Sequence, residues 1–231
     1  MPVDFSSFET KVSITFTNKA ILRQAFTHRS YLNEHRTVKT GHNERLEFLG
    51  DAVLELAVTA FLYDKFPGKT EGDLTSYRAA LVNANTLGEV AQKLGMDKYL
   101  LLSKGEAKDK GRARLYILAN TFEALIGAVF LDQGYTAAEK FIAEHVLPLT
   151  EEVVSKKLWL DAKSHFQEKA QDEFSQTPSY KTVSEEGPDH DKNFTIAVYI
   201  GKEKIAEGKG RSKQDAEQSA AQEALKKKNW L

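Results

Sequence analysis

The sequence contains no cysteine among its 231 residues. Disulfide frameworks and thiolate-based zinc sites are therefore excluded, and the absence fits a reducing compartment. The beginning, MPVDFSSFETK, lacks the basic-then-apolar pattern of a secretory signal. Unbroken apolar runs such as ALIGAVFL are far shorter than the roughly 20 residues that a membrane span needs. We therefore expect a cytoplasmic protein with no membrane partner.

An excess of positive charge is also missing, since the formal net charge is −1. Residues 161–231 hold 12 Lys and Arg against 13 Asp and Glu, and the rest of the chain holds 20 against 20. A polyanionic partner would have to be bound through local patches or metal ions rather than through a basic field.

What is present, from about residue 18 to residue 150, is a succession of helical patterns. Asn18 is a suitable N-cap, and residues 43–61 form a long helical segment. Apolar residues keep helical spacing from 72 to 94, where a helix should stop at Gly95, and a later helix should stop at Gly134. Residues 1–150 are therefore predicted to form an all-α domain.

The pattern changes after Pro148. Residues 151–160 read as a polar linker, and residues 161–231 contain a helix, three strand-like segments with turn residues between them, and an Ala-rich helix. The order predicts a small α+β domain of the form α-β-β-β-α.

Acidic side chains recur on two of the predicted helices. Glu44, Glu47 and Asp51 stand at i, i+3 and i+7 and so share one stripe, while Asn120 and Glu123 pair at i and i+3 on a second helix. Oxygen donors without His or Cys suit Mg²⁺ or Mn²⁺, which could activate water against a phosphodiester.

A simpler interpretation of these acids stays open, because such stripes also occur on surfaces. The carboxylates would then face solvent or pair with Arg45 and nearby lysines. Gly50 and Gly127 lie inside the same two helices although each costs about 1 kcal/mol against alanine. Close approach of one helix to the other would explain both glycines.

The segment NERLEFLGDAVLELAV closely resembles the signature of bacterial ribonuclease III, a double-strand-specific endoribonuclease. The segments FTHRSYLNE, EGDLTSYRAALVNANTLGEVAQKLG and TFEALIGAVFLDQG resemble the family's other helical blocks in the expected order, and the tail resembles its double-stranded-RNA-binding domain. The resemblance runs from about residue 10 to 228. It implies an all-α endonuclease domain followed by the α+β RNA-binding domain.

The resemblance also implies roles for the acids. Glu47, Asp51 and Glu123 match metal-site carboxylates, and Asp51 and Glu123 match the positions named as catalytic. Asn120 stands where the family usually has an aspartate, so the site would hold three carboxylates and an amide. We expect Mg²⁺ as cofactor, with Mn²⁺ as a possible substitute, and weaker metal affinity.

Further positions carry over in the same way. Glu44 and Glu71 match acids implicated in substrate handling, and Phe48 matches an aromatic that fills a pocket of the partner subunit in a homodimer. Each subunit would cut one strand. Attack by metal-activated water with loss of the 3′-oxygen would give 5′-phosphate and 3′-hydroxyl ends, and the stagger between the two sites would leave a short 3′ overhang.

The tail offers elements suited to duplex RNA, which proteins read through shape, 2′-hydroxyls and phosphates. Gln167 and Gln171 at i and i+4 could enter a minor groove, and His190 lies in a turn that resembles the family's second groove probe. A helix N-terminus, where the dipole favours phosphate, is expected to present Lys209, Arg211, Ser212 and Lys213. Each feature alone is also typical of an ordinary solvated surface.

The sequence thus predicts a homodimeric, metal-dependent endoribonuclease that cleaves double-stranded RNA, with precursors of ribosomal RNA and structured messenger RNA as substrates. Two alternatives remain. One is an RNA-binding protein weakened or inactive in cleavage because of Asn120, and the other is a helical scaffold whose acids are only solvated.

Overall fold

A computed structural model describes residues 3–35, 37–38, 40–108, 111–155, 162–188 and 192–230. The chain divides into two compact units, Met1–Trp159 and Leu160–Leu231. The helices of the first unit are α1 (Ser6–Lys11), α2 (Lys19–Ala25), α3 (Arg29–Glu34), α4 (Glu44–Lys65), α5 (Glu71–Val82), α6 (Ala84–Lys93), α7 (Arg112–Gln133), α8 (Tyr135–His145) and α9 (Thr150–Ser155). Short 3₁₀ turns lie at Met96–Lys98, Glu106–Lys108 and Leu147–Leu149.

The long helices α4 and α7 form the centre of the first unit. The buried face of α4 carries Leu46, Val53, Leu54, Val58 and Leu62, as its apolar spacing predicts. The facing side of α7 is buried from Leu118 through Val129 except at Asn120 and Glu123. In this unit the described residues contain no β-strand, only an isolated bridge between Thr27 and Leu101. The prediction of an all-α domain is confirmed.

The helical pattern predicted from 72 to 94 is interrupted, which corrects the expectation of one continuous segment. Asn83 has an extended backbone, with φ −71° and ψ 157°, and separates α5 from α6. Its side chain accepts a hydrogen bond from the amide of Thr86 and donates to the carbonyl of Ala80. Asparagine competes with the helical backbone in this way, and apolar spacing alone does not reveal it.

The predicted helix ends at Asn18, Gly95 and Gly134 are confirmed. Asn18 caps α2 by accepting hydrogen bonds from the amides of Ala20 and Ile21. Gly95 and Gly134 follow α6 and α7 with φ of 70° and 85°, values that favour glycine. The predicted linker differs at its start, because residues 151–155 belong to α9, where Val153 is buried in the helical core.

The second unit has the predicted α-β-β-β-α order. Its elements are α10 (Ala162–Phe174), β1 (Ser179–Glu186), β2 (Asn193–Ile200), β3 (Glu203–Gly210) and α11 (Lys213–Lys227). The strands pair antiparallel in the order β1-β2-β3. Both helices cover one face of the sheet, and the core between them includes Phe166, Val198, Ile205, Ala221 and Leu225.

By length and composition, residues Ala113–Gln133 of α7 could cross a membrane, since an 18-residue stretch within them has a mean hydropathy of 1.5. More than half of that stretch, 56%, is buried inside the folded unit, as expected for a central core helix. Polar residues interrupt its apolar runs, so that run length in the sequence did not single it out.

Candidate active site and nucleic-acid interface

The acidic residues of α4 and α7 are brought together by a backbone contact between the two helices. A Cβ atom at Gly50 would lie 1.8 Å from the carbonyl oxygen of Glu123, and one at Gly127 would lie 2.3 Å from the carbonyl oxygen of Leu46. Real Cβ atoms do not approach other atoms so closely, so only glycine fits at either position. The predicted close approach is confirmed, and Glu123 lies directly across from the acidic stripe of α4.

The stripe itself stays accessible because the buried apolar residues of α4, such as Leu46, Val53 and Leu54, lie on another face of the helix. Glu44 and Asp51 are exposed, and Glu47 is half-buried. On α7, Asn120 is exposed and Glu123 is half-buried. The acidic stripe of α4 and the polar pair of α7 therefore meet at one surface.

The carboxyl groups at this surface perturb one another. The pKa of Glu123 is raised to about 8, first by burial and then by the charges of Asp51 and Glu47. The pKa of Glu47 is also raised, by burial and by the charges of Glu44 and Asp51. At neutral pH the metal-free cluster therefore holds a proton on Glu123.

The donor atoms of Glu47, Asp51, Asn120 and Glu123 are all oxygens, and this set fits a hard divalent cation. The raised pKa values show that the surface resists further negative charge, which such a cation would offset. In the part of the chain that the structure describes, no three His, Asp or Glu side chains converge closely enough to hold an ion as they stand. Binding would therefore require the carboxylates to turn toward a shared point.

Glu44 has partners of its own at the start of α4. Its Oε1 lies 3.5 Å from Nη1 of Arg29, and its Oε2 lies 3.8 Å from Nδ1 of His42. Arg29, rather than the neighbouring Arg45, is thus the cation beside this acid. Nothing in the sequence indicates this partner, because α3 reaches Glu44 only through the fold.

Glu71 lies away from the acidic cluster in the same chain. It begins α5 and lines a cavity of about 390 Å³ whose other walls include Leu62, Tyr63, Leu74 and Arg78. Leu62 is fifteen residues beyond Glu47, which corresponds to about 22 Å along α4. A single chain does not bring Glu71 to the other acids.

An exposed apolar stripe runs along α4 beside the acids. The side chains of Phe48, Leu56 and Tyr63 are 80%, 58% and 71% exposed. They follow one another by about two turns each and therefore share a face. Large aromatic residues this exposed, aligned along a single helix, mark an interaction surface.

The RNA-facing elements predicted in the second unit are present in part. Gln167 and Gln171 are exposed on α10 and line one groove with Ser164, Glu168 and Asp172. His190 lies outside the described residues.

The predicted group of cations at the start of α11 is divided by the sheet. Gly208 and Gly210 both face α11, where a Cβ would lie 2.0 Å from the amide nitrogen of Ala220 and 2.4 Å from that of Ala216. Lys209, between them, therefore projects from the opposite face of the sheet. Grouping it with Lys213 overlooked the alternation of side chains along a strand.

The remaining residues of that group lie together at the helix N-terminus. Ser212 caps α11 by accepting a hydrogen bond of 3.1 Å from the amide of Asp215. Arg211 is exposed immediately before it. Lys213 begins the helix, and its Nζ lies 2.8 Å from Oε1 of Glu185 on β1. The sequence did not indicate Glu185, which depends on the strand register.

Two known families match the two units. A family described as Ribonuclease-III-like matches residues 18–149. A family described as double-stranded RNA binding motif matches residues 162–228.

Known proteins resemble the chain over nearly its full length. A protein named Ribonuclease 3 from Bdellovibrio bacteriovorus is 44% identical over 96% of this chain and 95% of its own. A protein of the same name from Bacillus licheniformis is 46% identical over 96% of this chain and 89% of its own. A solved nuclease domain of ribonuclease III from Campylobacter jejuni, described as showing structural flexibility in a region involved in dimer formation, is 36% identical, with a TM-score of 0.57 over 62% of this chain and 96% of that one.

Proposed function

The chain belongs to the ribonuclease III family and is an endoribonuclease of that type, and we propose that its α4–α7 acidic cluster cleaves double-stranded RNA with Mg²⁺. Glu47, Asp51, Asn120 and Glu123 would hold the ion, and Mn²⁺ could replace it. Bound Mg²⁺ supplies an activated water and offsets the charge of the reacting phosphate. The observation that carries the proposal is the convergence of three carboxylates from two helices, where burial and the charges of Asp51 and Glu47 raise the pKa of Glu123 to about 8.

In the proposed reaction, the oxygen of a water molecule attacks phosphorus and the bond from phosphorus to the 3′-oxygen breaks. The products are a 5′-phosphate and a 3′-hydroxyl, and the departing 3′-oxygen takes up a proton. Asp51 is exposed and can therefore contact an RNA strand. The backbone of Glu123 is fixed by its close contact with Gly50 on α4. Cytoplasmic precursors of ribosomal RNA and structured messenger RNA are the proposed substrates.

We propose that two copies of the chain pair through the stripe of Phe48, Leu56 and Tyr63. A twofold axis near Leu56 would run the two α4 helices antiparallel, since Phe48 and Tyr63 lie about equally far from it along the helix. Phe48 of one copy would then reach the Tyr63 end of the other, where the 390 Å³ cavity opens. This cavity is the proposed seat for the phenyl ring.

The same pairing gives Glu71 a place in the reaction. Glu71 lines the cavity proposed for the partner copy's Phe48, and that phenylalanine stands next to Glu47 in the sequence. Glu71 would therefore lie beside the acidic cluster of the other copy, where it could contact the RNA. Its distance from the acids of its own chain then has a functional reason.

The second unit would bind the duplex beyond the cleavage site. Gln167 and Gln171 on α10 suit a minor groove, while Arg211, Ser212 and Lys213 suit phosphates at the start of α11. His190 is proposed as the probe of the next minor groove.

A labelled RNA hairpin incubated with the protein, with and without Mg²⁺, tests the proposal. We expect discrete fragments with 5′-phosphate ends in Mg²⁺ only, and none from Asp51→Ala. Intact RNA in a stable complex with the wild-type protein would instead support a binding protein whose cleavage is lost through Asn120. If neither fragments nor a complex were observed, the result would favour a helical scaffold protein whose acids are only solvated.

A further inference from the structure

The ammonium group of Lys213 is bound by two residues of the sheet. Its Nζ lies 2.8 Å from Oε1 of Glu185 on β1 and 5.6 Å from the ring centroid of Phe194 on β2. A carboxylate supplies a charged hydrogen-bond acceptor, and an aromatic face attracts a cation. Lys213 is also the first residue of α11, within the segment proposed to bind phosphate.

The register of the sheet brings Glu185 and Phe194 together at this position. Glu185 pairs with Phe194 across β1 and β2, and Phe194 pairs with Gly210 across β2 and β3. Residues directly opposite one another project from the same face, so the three positions form one row. At the end of the row, Gly210 lets the first turn of α11 approach, with the amide nitrogen of Ala216 only 2.4 Å from where a Cβ would be. This close approach places the side chain of Lys213 against Glu185 and Phe194.

The pair is both electrostatically coupled and open to solvent. Lys213 holds the pKa of Glu185 below its usual range, mainly through the hydrogen bond between them. The side chains of Lys213 and Glu185 are nevertheless 58% and 38% exposed. An RNA phosphate can therefore reach the ammonium, but it meets a carboxylate already bound there.

We propose that Glu185 is an internal counter-ion of the RNA-binding surface, which competes with RNA phosphate for Lys213 and so weakens duplex binding. The proposal rests on the proposed function, because it assumes that the start of α11 contacts duplex RNA. Binding transfers Lys213 from a carboxylate to a phosphate, so the free energy gained is smaller than for a free lysine.

The charge of the whole unit agrees with this role. Residues 161–231 carry 12 cationic and 13 acidic side chains, so no general basic field compensates for an occupied lysine. A nuclease that cuts a duplex produces shorter duplexes, which it must release before it can act again. A counter-ion beside a phosphate-binding lysine shortens the life of the product complex.

Glu185→Gln in the full chain tests the proposal, because glutamine keeps an acceptor for Lys213 but removes the charge. Binding is measured with a duplex of about 16 base pairs in EDTA, so that no cleavage occurs. We expect the Kd to fall about fivefold, which corresponds to the interaction of unit charges near 4 Å in water. The slope of log K against log salt should steepen by up to about 0.9, equivalent to one more phosphate contact.

Glu207→Gln is the matched control, since it removes the same charge from a comparable pair, Lys204–Glu207, on β3 of the same unit. Its Kd should stay within about twofold of the wild-type value. When Lys213 is already replaced by glutamine, Glu185→Gln should increase the affinity for the duplex no more than Glu207→Gln does.

Equal or weaker binding by Glu185→Gln, or an equal gain from Glu207→Gln, would overturn the proposal while leaving the proposed function intact. Failure of the wild-type protein to bind the duplex at all would overturn both.

Discussion

The carboxyl group of Glu123 lies where burial and two neighbouring carboxylates all oppose its ionisation. Asn120, one turn earlier on the same helix, adds an oxygen to this surface without adding a charge. The identities of these residues could be predicted from the sequence, because the spacing of each pair is visible in it. Their coupling could not, since it depends on the contact between α4 and α7.

Asn120→Asp should strengthen the proposed metal site. A fourth carboxylate increases the attraction for Mg²⁺, so the concentration giving half-maximal cleavage should fall about tenfold. Cleavage rates measured against Mg²⁺ and Mn²⁺ for both proteins check this. Superimposable titration curves would show that residue 120 does not take part in metal binding.

The raised pKa of Glu123 predicts how the stability of the metal-free protein depends on pH. The folded-state value of about 8 lies above the ordinary value of 4.5, so folding favours the protonated form. The contribution of Glu123 to the free energy of unfolding is fully present below its ordinary pKa of 4.5 and is lost as the pH rises through 8. Thermal unfolding in EDTA should therefore show the wild-type protein losing stability with rising pH relative to Glu123→Gln.

Glu89→Gln provides the control for this measurement, because Glu89 is exposed on α6 and does not contribute to the raised pKa of Glu123. Its unfolding temperature should follow that of the wild-type protein at each pH. A constant difference between wild type and Glu123→Gln across this pH range would contradict the assigned pKa.

At the scale of the elements, the α4–α7 pair determines where every proposed metal ligand lies. Helical periodicity predicts both helices, and the internal glycines indicate that they approach closely. The break between α5 and α6 was not predicted, because the capping geometry of Asn83 replaces a helical turn without disturbing the apolar spacing. Lys209 was misplaced for a similar reason, since strand alternation overrides proximity in the sequence.

Gly50→Ala should disrupt the helix pair. The added methyl group would lie 1.8 Å from the carbonyl oxygen of Glu123, so the helices must separate. We expect a loss of about 3 kcal/mol or more in the free energy of unfolding, together with reduced cleavage. Denaturant unfolding measures the first effect.

Gly72→Ala is the matched control, because Gly72 is also helical but its nearest neighbour, the hydroxyl of Thr70, is 3.9 Å away. It should stabilise the protein by about 0.5–1 kcal/mol through its helix propensity. Equal effects of the two substitutions would show that the close contact at Gly50 is not essential.

At the scale of the whole molecule, the proposed pairing of two chains would explain the acidic cluster, the apolar stripe and the cavity at Glu71 together. The sequence predicted the division into a helical and an α+β unit because their patterns differ. The position of Glu71 far from the other acids becomes clear only from the folded chain, since sequence order does not show which surface each helix presents.

Phe48→Ala should shift the proposed dimer toward monomers. Burial of a phenyl ring contributes about 2 kcal/mol or more, and the twofold symmetry applies the loss twice, so association should weaken about 1000-fold. Analytical ultracentrifugation over a concentration series measures this change. Leu131→Ala removes another exposed apolar side chain, on α7, and should leave the association unchanged. A wild-type protein that is monomeric at all concentrations would contradict the pairing.

The α4–α7 acidic cluster is proposed to cleave RNA only as a duplex. The single-turnover cleavage rate of one labelled strand, alone and annealed to its complement, measured in Mg²⁺ with wild-type protein and with Asp51→Asn, tests this directly. We predict cleavage of the annealed strand by the wild-type protein, none of the single strand, and a rate for Asp51→Asn lower by at least about 100-fold. Equal cleavage of the single strand, or an unchanged rate for Asp51→Asn, would contradict it.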